Sequence, residues 1–178
     1  EADIPCLGIE PTKSTADAAK KLGIPVQCKF FGTKLAEELT ANGKQANLII
    51  GNNVYAHVPD INDFTLGLKR MLKYDGTITL EFAYLLKLIR QNEFDTVYHE
   101  HFSYLSLHAV KSIFEGTRLK IYDVEELTTH GGSLRVYGCH EEACFNTTDR
   151  VYEQLQKEEK AGLLELKTYV QFQQKAER

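Results

Sequence analysis

The chain has 178 residues, 43% of them hydrophobic, and a formal net charge of -4. That length supports one principal domain able to bury roughly two-thirds of its unfolded surface. The negative balance does not supply the broad positive field on which phosphate-backbone binding depends, so no nucleic-acid partner is expected. No apolar run approaches the roughly 20 residues that span a bilayer, and nothing at the start reads as a basic-then-apolar leader, so no membrane partner is expected either. The expectation is a cytoplasmic protein that handles a small molecule. Cys6, Cys28, Cys139 and Cys144 contain no Cys-x-x-Cys pair and read as reduced thiols. Cys139, His140 and Cys144 lack the second half of a zinc site, so no metal is expected here.

The opening residues read as a strand already under way, with no methionine before it, and the last 30 or so as a charged helical pattern that stops abruptly; a fragment of a longer protein is expected. After the first strand, Glu10-Pro11 ends the apolar run, and residues 12–22 have helical spacing closed by Gly23. A strand at 25–30 and a helix at 33–42, stopped by Gly43, repeat the unit. Residues 46–50 form a continuously apolar strand of the kind buried on both faces of a parallel sheet, followed by an amphipathic helix at 62–72. The turn Tyr74-Asp75-Gly76 introduces the next strand, 77–82.

Helices are expected at 84–91 and, capped by Ser106, at 107–115, on either side of an aromatic and histidine-rich stretch. Residues 118–127 and 133–140 read as an antiparallel pair closing the sheet. From 149 onward Val151, Leu155, Leu163, Leu164, Leu166, Tyr169 and Val170 recur at helical spacing, giving one long amphipathic helix or a helix pair. The alternation predicts an α/β, Rossmann-like, doubly wound sheet with an antiparallel pair at one edge and a C-terminal helical segment.

In open α/β sheets, ligands bind beyond the carboxyl ends of the strands. Glu10 ends the first strand, where an acidic residue accepts from ribose hydroxyls, although an exposed Glu before Pro is also commonplace. Phe30 and Phe31 follow the second strand and either flank an adenine ring or belong to the core. The loop after the third, Gly51 to Asp60, is rich in polar and aromatic groups; Asn53 can donate and accept, and His57 either orients substrate or packs against the helix start.

Tyr98-His99-Glu100-His101 is the sharpest constellation. In an extended segment His99 and His101 share one face and Tyr98 and Glu100 the other. An imidazole near a carboxylate is suited to proton abstraction; the competing reading, a divalent-ion site built with His57, lacks a convergent Asp or Glu. His130-Gly131-Gly132-Ser133 with Arg135 reads as a ligand-approaching loop with a phosphate partner, or as a plain hairpin turn.

Taken in order, Gly8-Ile9-Glu10-Pro11, the 51–60 loop, residues 94–104 around Tyr98-His99-Glu100-His101, and the 130–135 turn resemble the S-adenosylmethionine-dependent sugar C-methyltransferase family. That family acts on nucleotide-linked keto-deoxysugars. The resemblance implies a class I methyltransferase fold in three parts: an N-terminal region that binds zinc, a central S-adenosylmethionine domain, and a C-terminal region that helps hold the sugar nucleotide. This chain resembles chiefly the central part, with residues 1–148 forming the methyltransferase domain without its first strand and Gly-rich turn, and 149–178 a helical connector. Carried over, Glu10 binds the ribose, Phe30 and Phe31 lie near the adenine, and Asn53 near the reacting centre. Tyr98, Glu100, His57 and His101 line the sugar site with His101 as general base, and His99, His130, Ser133 and Arg135 contact substrate. The implied reaction is methylation of the carbon beside a ketone after base-assisted enolisation. An O- or N-methyltransferase of the same fold and a catalytically silent binding module are the alternatives.

Overall fold

Apolar runs of strand length alternate with amphipathic runs of helix length as far as residue 91, and the computed structural model, which describes residues 4–177, follows that alternation. In chain order the elements are β1 (Gly8–Ile9), α1 (Lys13–Lys21), β2 (Val26–Gln27), α2 (Thr33–Ala41), β3 (Ala46–Asn52), α3 (Ile61–Met71), β4 (Leu72–Ala83) and α4 (Leu85–Gln91). They continue with α5 (Leu107–Gly116), β5 (Leu119–Leu127), β6 (Ser133–His140), α6 (Asp149–Lys160) and α7 (Leu166–Ala176). Helix stops sit where the sequence places them: Gly23 and Gly43 follow α1 and α2 at φ of 80° and 69°, a conformation glycine adopts without a Cβ penalty. The Ser106 side chain accepts from the Ala109 amide and so caps α5.

Among the described residues the strands form two groups. β1 and β2 pair in parallel, and a four-stranded sheet runs in the order β3-β4-β6-β5, with β3 parallel to β4 and both β6 pairings antiparallel. The antiparallel pair therefore closes the sheet as expected, with β6 inserted between β4 and β5. The predicted turn at residues 74–76 is instead part of β4. Ala46 pairs with Leu72 and Leu48 with Thr77, so two residues of β3 oppose five of β4, and the surplus is taken up as a bulge inside one strand.

The core lies on one face of the four-stranded sheet. Ile78, Leu80, Phe82, Leu134, Val136 and Val124 point into it and are covered by Phe64 and Leu68 of α3, Leu86 of α4, Val110 and Phe114 of α5 and Val151 of α6. On the opposite face the register sets Leu48 and Ile50 level with Thr77 and Thr79. Leu48 and Ile50 are 54% and 63% exposed, so the expectation that this strand is buried on both faces is not met. The reason is that both side chains project from the face opposite the core, away from the helices that cover it.

The smaller unit is tied to the larger by α2 and α3. Asp63 of α3 accepts from the Thr33 amide and hydroxyl at the start of α2. The helices approach so closely there that a Cβ on Gly67 would stand 2.8 Å from the Gly32 carbonyl carbon. The C-terminal stretch is a helix pair: α6 buries Val151, Gln154 and Glu158, whereas α7 buries none of its residues.

Gly138 on β6 faces Phe114, and a Cβ there would meet its ring at 2.3 Å. The Phe114 ring is fully buried and cannot swing aside. Gly138→Ala is expected to cost about 1–3 kcal/mol of unfolding free energy, read from the midpoint of a urea titration with an unchanged slope.

Candidate active site

β1 runs parallel to β2 and β3 to β4, and predicted site residues follow their carboxyl ends. Glu10 follows β1, and its carboxylate accepts from the Thr12 amide at 2.7 Å, at the entrance to α1. Phe30 follows β2 and is 82% exposed, an unusual degree for a large aromatic ring. Phe31 beside it is half-buried, packs against the core and meets Phe64 edge-on with ring centroids 5.2 Å apart. Asn53 follows β3 in the left-handed region at φ 51°, held there by its amide donating to the Glu81 carbonyl of β4 at 2.8 Å. Asparagine tolerates that backbone better than most residues with a side chain.

The chain then makes a helical turn at Tyr55–His57, which sets His57 against the segment following α4. The Ala56 carbonyl receives the amides of Phe102 and Ser103 at 2.9 and 3.2 Å, which stitches the loop after β3 to the histidine-rich loop. That loop is not extended. The His101 amide donates to the Tyr98 carbonyl at 3.1 Å, closing a turn over His99 and Glu100. The alternating faces expected for Tyr98-His99-Glu100-His101 are therefore replaced by a turn that stacks its ends together. Tyr98 and His101 rings lie 4.4 Å apart and His99 is left exposed at the apex.

His101 sits among four groups. Its Nδ1 lies 3.0 Å from the Thr96 carbonyl, which can only accept, so Nδ1 carries the hydrogen and Nε2 the lone pair. Nε2 is 3.4 Å from the Tyr98 hydroxyl, and the Tyr104 ring meets the imidazole edge-on at 5.7 Å. The His57 ring is 4.7 Å away, and its own Nδ1 is 2.9 Å from the Glu100 carbonyl, which fixes the same tautomer. Glu100 thus contributes to the cluster through its backbone. Two imidazoles, both with Nε2 unprotonated when neutral, stand side by side, His57 from the loop after β3 and His101 from the loop after α4.

The remaining predicted substrate contacts fall in a neighbouring network. Ser133 is 1% exposed and its hydroxyl donates to Glu81 at 2.9 Å; Arg135 donates to the other oxygen of Glu81 at 2.9 Å and leans toward Glu125 at 3.4 Å. Thr129 donates to Glu81 at 2.6 Å. These groups are engaged with a buried carboxylate, which leaves only part of the Arg135 guanidinium available to a phosphate. The side chain of His130 lies outside the described residues. Glu81 went unnoticed in the sequence reading, although a single carboxylate at the end of an apolar strand was a visible signal. The Thr96 and Ala56 carbonyls carry no side-chain signal at all. Among the described residues no group of three or more His, Cys, Asp or Glu is placed to hold a metal.

The fold and these strand ends define a class I S-adenosylmethionine-dependent methyltransferase architecture. Solved structures with the same fold include the PH0226 protein of Pyrococcus horikoshii, with a TM-score of 0.59, 12% identity and coverage of 78% of this chain and 72% of that one. An S-adenosylmethionine-dependent methyltransferase of Thermotoga maritima has a TM-score of 0.56 and 14% identity, covering 76% and 72% of the two chains. Magnesium protoporphyrin IX methyltransferase of Synechocystis, solved with bound SAH, has a TM-score of 0.55 and 11% identity over 75% of this chain and 63% of its own. Sequence is more specific. The family described as "C-methyltransferase C-terminal domain" matches residues 128–178, and the chain is 34% identical over 172 residues to C-methyltransferase NovU of Streptomyces niveus. Over nearly its whole length the chain is similar to that C-methyltransferase. The alignment takes in 97% of the chain and 41% of that relative's length.

Glu81 anchors the network behind the site, and the Thr129 hydroxyl first, then Ser133 and Arg135, hold its pKa below the ordinary carboxylate value against the opposing effect of burial. A lowered folded value means that the ionised form stabilises the fold above the unfolded pKa, near 4.5, and that this contribution is lost as pH falls through the folded value. Glu81→Gln is expected to lose about 1–3 kcal/mol at pH 7, with the gap to wild type narrowing below pH 4.5, as read by thermal unfolding across pH.

Proposed function

We propose that this chain forms the central part of an S-adenosylmethionine-dependent C-methyltransferase that methylates the carbon beside the ketone of a nucleotide-linked deoxysugar, with His101 as the base. The observation that carries the reading is the hydrogen bond from His101 Nδ1 to the Thr96 carbonyl, which leaves Nε2 as a proton acceptor beside the Tyr98 hydroxyl.

The cofactor reading is supported by the groups at the strand ends. An exposed Phe30 ring offers a face to a purine, the Glu10 carboxylate retains accepting positions for ribose hydroxyls, and Asn53 stands where β3 ends. When bound, S-adenosylmethionine supplies an electrophilic methyl group on a sulfonium. The sequence has no Gly-x-Gly turn, and the edge of β3 that pairs with no described strand is where the first strand and its Gly-rich turn, implied by the family resemblance, would insert. On that reading residues 1–148 are an incomplete methyltransferase domain, 149–178 lead toward a further region, and a zinc-binding region precedes both.

The residues at hand perform the acid–base half of the reaction. His101 Nε2 takes the proton from the carbon beside the ketone, and the electron pair of that C–H bond moves into the enolate. The ketone oxygen then carries the charge, and the Tyr98 hydroxyl is the donor placed beside the base to stabilise it. His57 adds a second imidazole in the same tautomer, positioned to orient the sugar or relay the proton. Val97 and Phe102, 44% and 60% exposed on the same loop, provide apolar surface against which the sugar ring can be held. The residual donor capacity of Arg135 is suited to the nucleotide phosphates.

His101→Asn in the full-length protein is expected to lower the rate of methyl transfer to a nucleotide-linked 4-keto sugar by about 10²–10⁴-fold, the usual share of general base catalysis, with S-adenosylmethionine binding by calorimetry unchanged. Turnover at the wild-type rate would remove His101 from this role.

A further inference from the structure

Glu158 of α6 is wholly buried, yet it belongs neither to the strand-end site nor to the Glu81 network. A buried carboxylate is costly unless it is well supplied with donors. Four donors reach it. One oxygen accepts the Tyr84 hydroxyl at 2.8 Å and the Leu107 amide at 2.6 Å; the other accepts the His108 amide at 3.1 Å and His108 Nδ1 at 2.7 Å. Gln154, one turn earlier on α6, donates to the Tyr84 oxygen at 2.7 Å. Leu107 and His108 are the first two residues of α5, whose amides have no partner within the helix, and the helix dipole favours a negative charge at that point. Ser106 takes the Ala109 amide, so Glu158 and Ser106 together satisfy the start of α5.

The three elements joined here are the ones that deliver the histidine loop back into the fold. Tyr84 follows β4 directly and forms an isolated bridge with Leu105, and the Leu85 amide donates to the Leu105 carbonyl at 3.1 Å. Leu105 is four residues beyond His101. Upstream, the loop leaves α4 through Asn92 at φ 55° and the Glu93 amide donates to the Leu88 carbonyl. Its middle rests on the Ala56 carbonyl. The downstream anchor is the one made by a residue from the segment that matches the C-terminal family domain.

We propose that Glu158 is a positioning residue for the histidine loop: by gathering Tyr84, Leu107 and His108 on one buried carboxylate, it fixes where the loop ends and hence where His101 Nε2 stands. The inference deepens the reading of His101 as base and rests on it. It gives the C-terminal segment a part in the chemistry without any contact with substrate. A misplacement of about 1 Å at a catalytic group can cost roughly 10²-fold in rate, so a distant anchor can act on turnover while leaving affinity alone.

Glu158→Gln tests this with little change of volume. The amide nitrogen cannot accept, so whichever way it turns, one pair of donors faces another donor. In the full-length protein kcat is expected to fall about 10–100-fold with KM for the nucleotide-sugar within about threefold. The second readout needs no turnover: the imidazole carbon-bound proton resonance of His101, assigned by its disappearance in His101→Asn, is expected to move in Glu158→Gln. Tyr84→Phe, which removes one donor and keeps the ring, is expected to move it in the same direction by less, and stands in if Glu158→Gln does not fold. An unmoved His101 resonance in a folded variant overturns the proposal, whatever happens to the melting temperature. If His101→Asn proves fully active, the base assignment fails by itself, and the resonance still decides whether Glu158 positions the loop.

Discussion

Strand β4 has to satisfy two different partners at once, and that constraint organises the molecule. Its one edge runs parallel to β3, its other edge antiparallel to β6, and its inward residues Ile78, Leu80 and Phe82 are the centre of the core. Wherever β4 ends, three loops must end with it. Its Glu81 carbonyl holds the Asn53 amide, its Glu81 carboxylate gathers Thr129, Ser133 and Arg135, and Tyr84, immediately after it, receives the return of the histidine loop. The strand-end site is the meeting point of these loops. Hydrogen bonds in a sheet ladder are shared by neighbours, so a shift of β4 by one residue would turn Glu81 into the core and carry every one of these attachments with it.

Within that frame, the tautomers of the two imidazoles are set by backbone carbonyls. Thr96 and Glu100 each accept from the Nδ1 of one imidazole, which leaves both Nε2 atoms as acceptors. A side-chain carboxylate in the same place would have oriented the ring but also added a charge. Carbonyls set the tautomer without one, so the pair of rings can sit 4.7 Å apart beside two tyrosines. The buried carboxylates of Glu81 and Glu158 lie in separate clusters, where each is fully engaged by donors. On the proposed reading, proximity of the proton acceptor and a phenolic donor is the feature a substrate would meet.

The elements built on local signals were legible in the sequence. Helix stops at Gly23 and Gly43, the Ser106 cap and the antiparallel β5–β6 pair all follow from residues whose preferences act over one or two turns of chain. Three readings failed, two of them where the deciding contact was distant and one on a local turn bond. The apolar run of β3 suggested burial on both faces, but Leu48 and Ile50 have one only if another element covers them. Tyr74-Asp75-Gly76 has turn chemistry, yet the pairing of β4 with β3 drew it into a strand bulge. Tyr98-His99-Glu100-His101 was read at strand periodicity, whereas the Tyr98–His101 turn bond reverses which residues meet. That reversal explains why His101 and not His99 joins the cluster, which periodicity alone left undecided. Phe31 and Ser133 were visible as candidates; the first packs half-buried against Phe64 and the second donates to Glu81. Glu158 carried no local signal, being one of many charged residues in a helix whose other faces meet solvent.

The proposed reaction begins with removal of a proton from carbon. Its most direct test is deuterium incorporation, followed by proton NMR, at the carbon beside the ketone of a nucleotide-linked 4-keto sugar incubated in heavy water with the full-length protein and no S-adenosylmethionine. The account predicts wash-in at that position, abolished by His101→Asn. Methyl transfer by the wild-type protein with no such exchange, and with the methyl group found on oxygen or nitrogen, would contradict it.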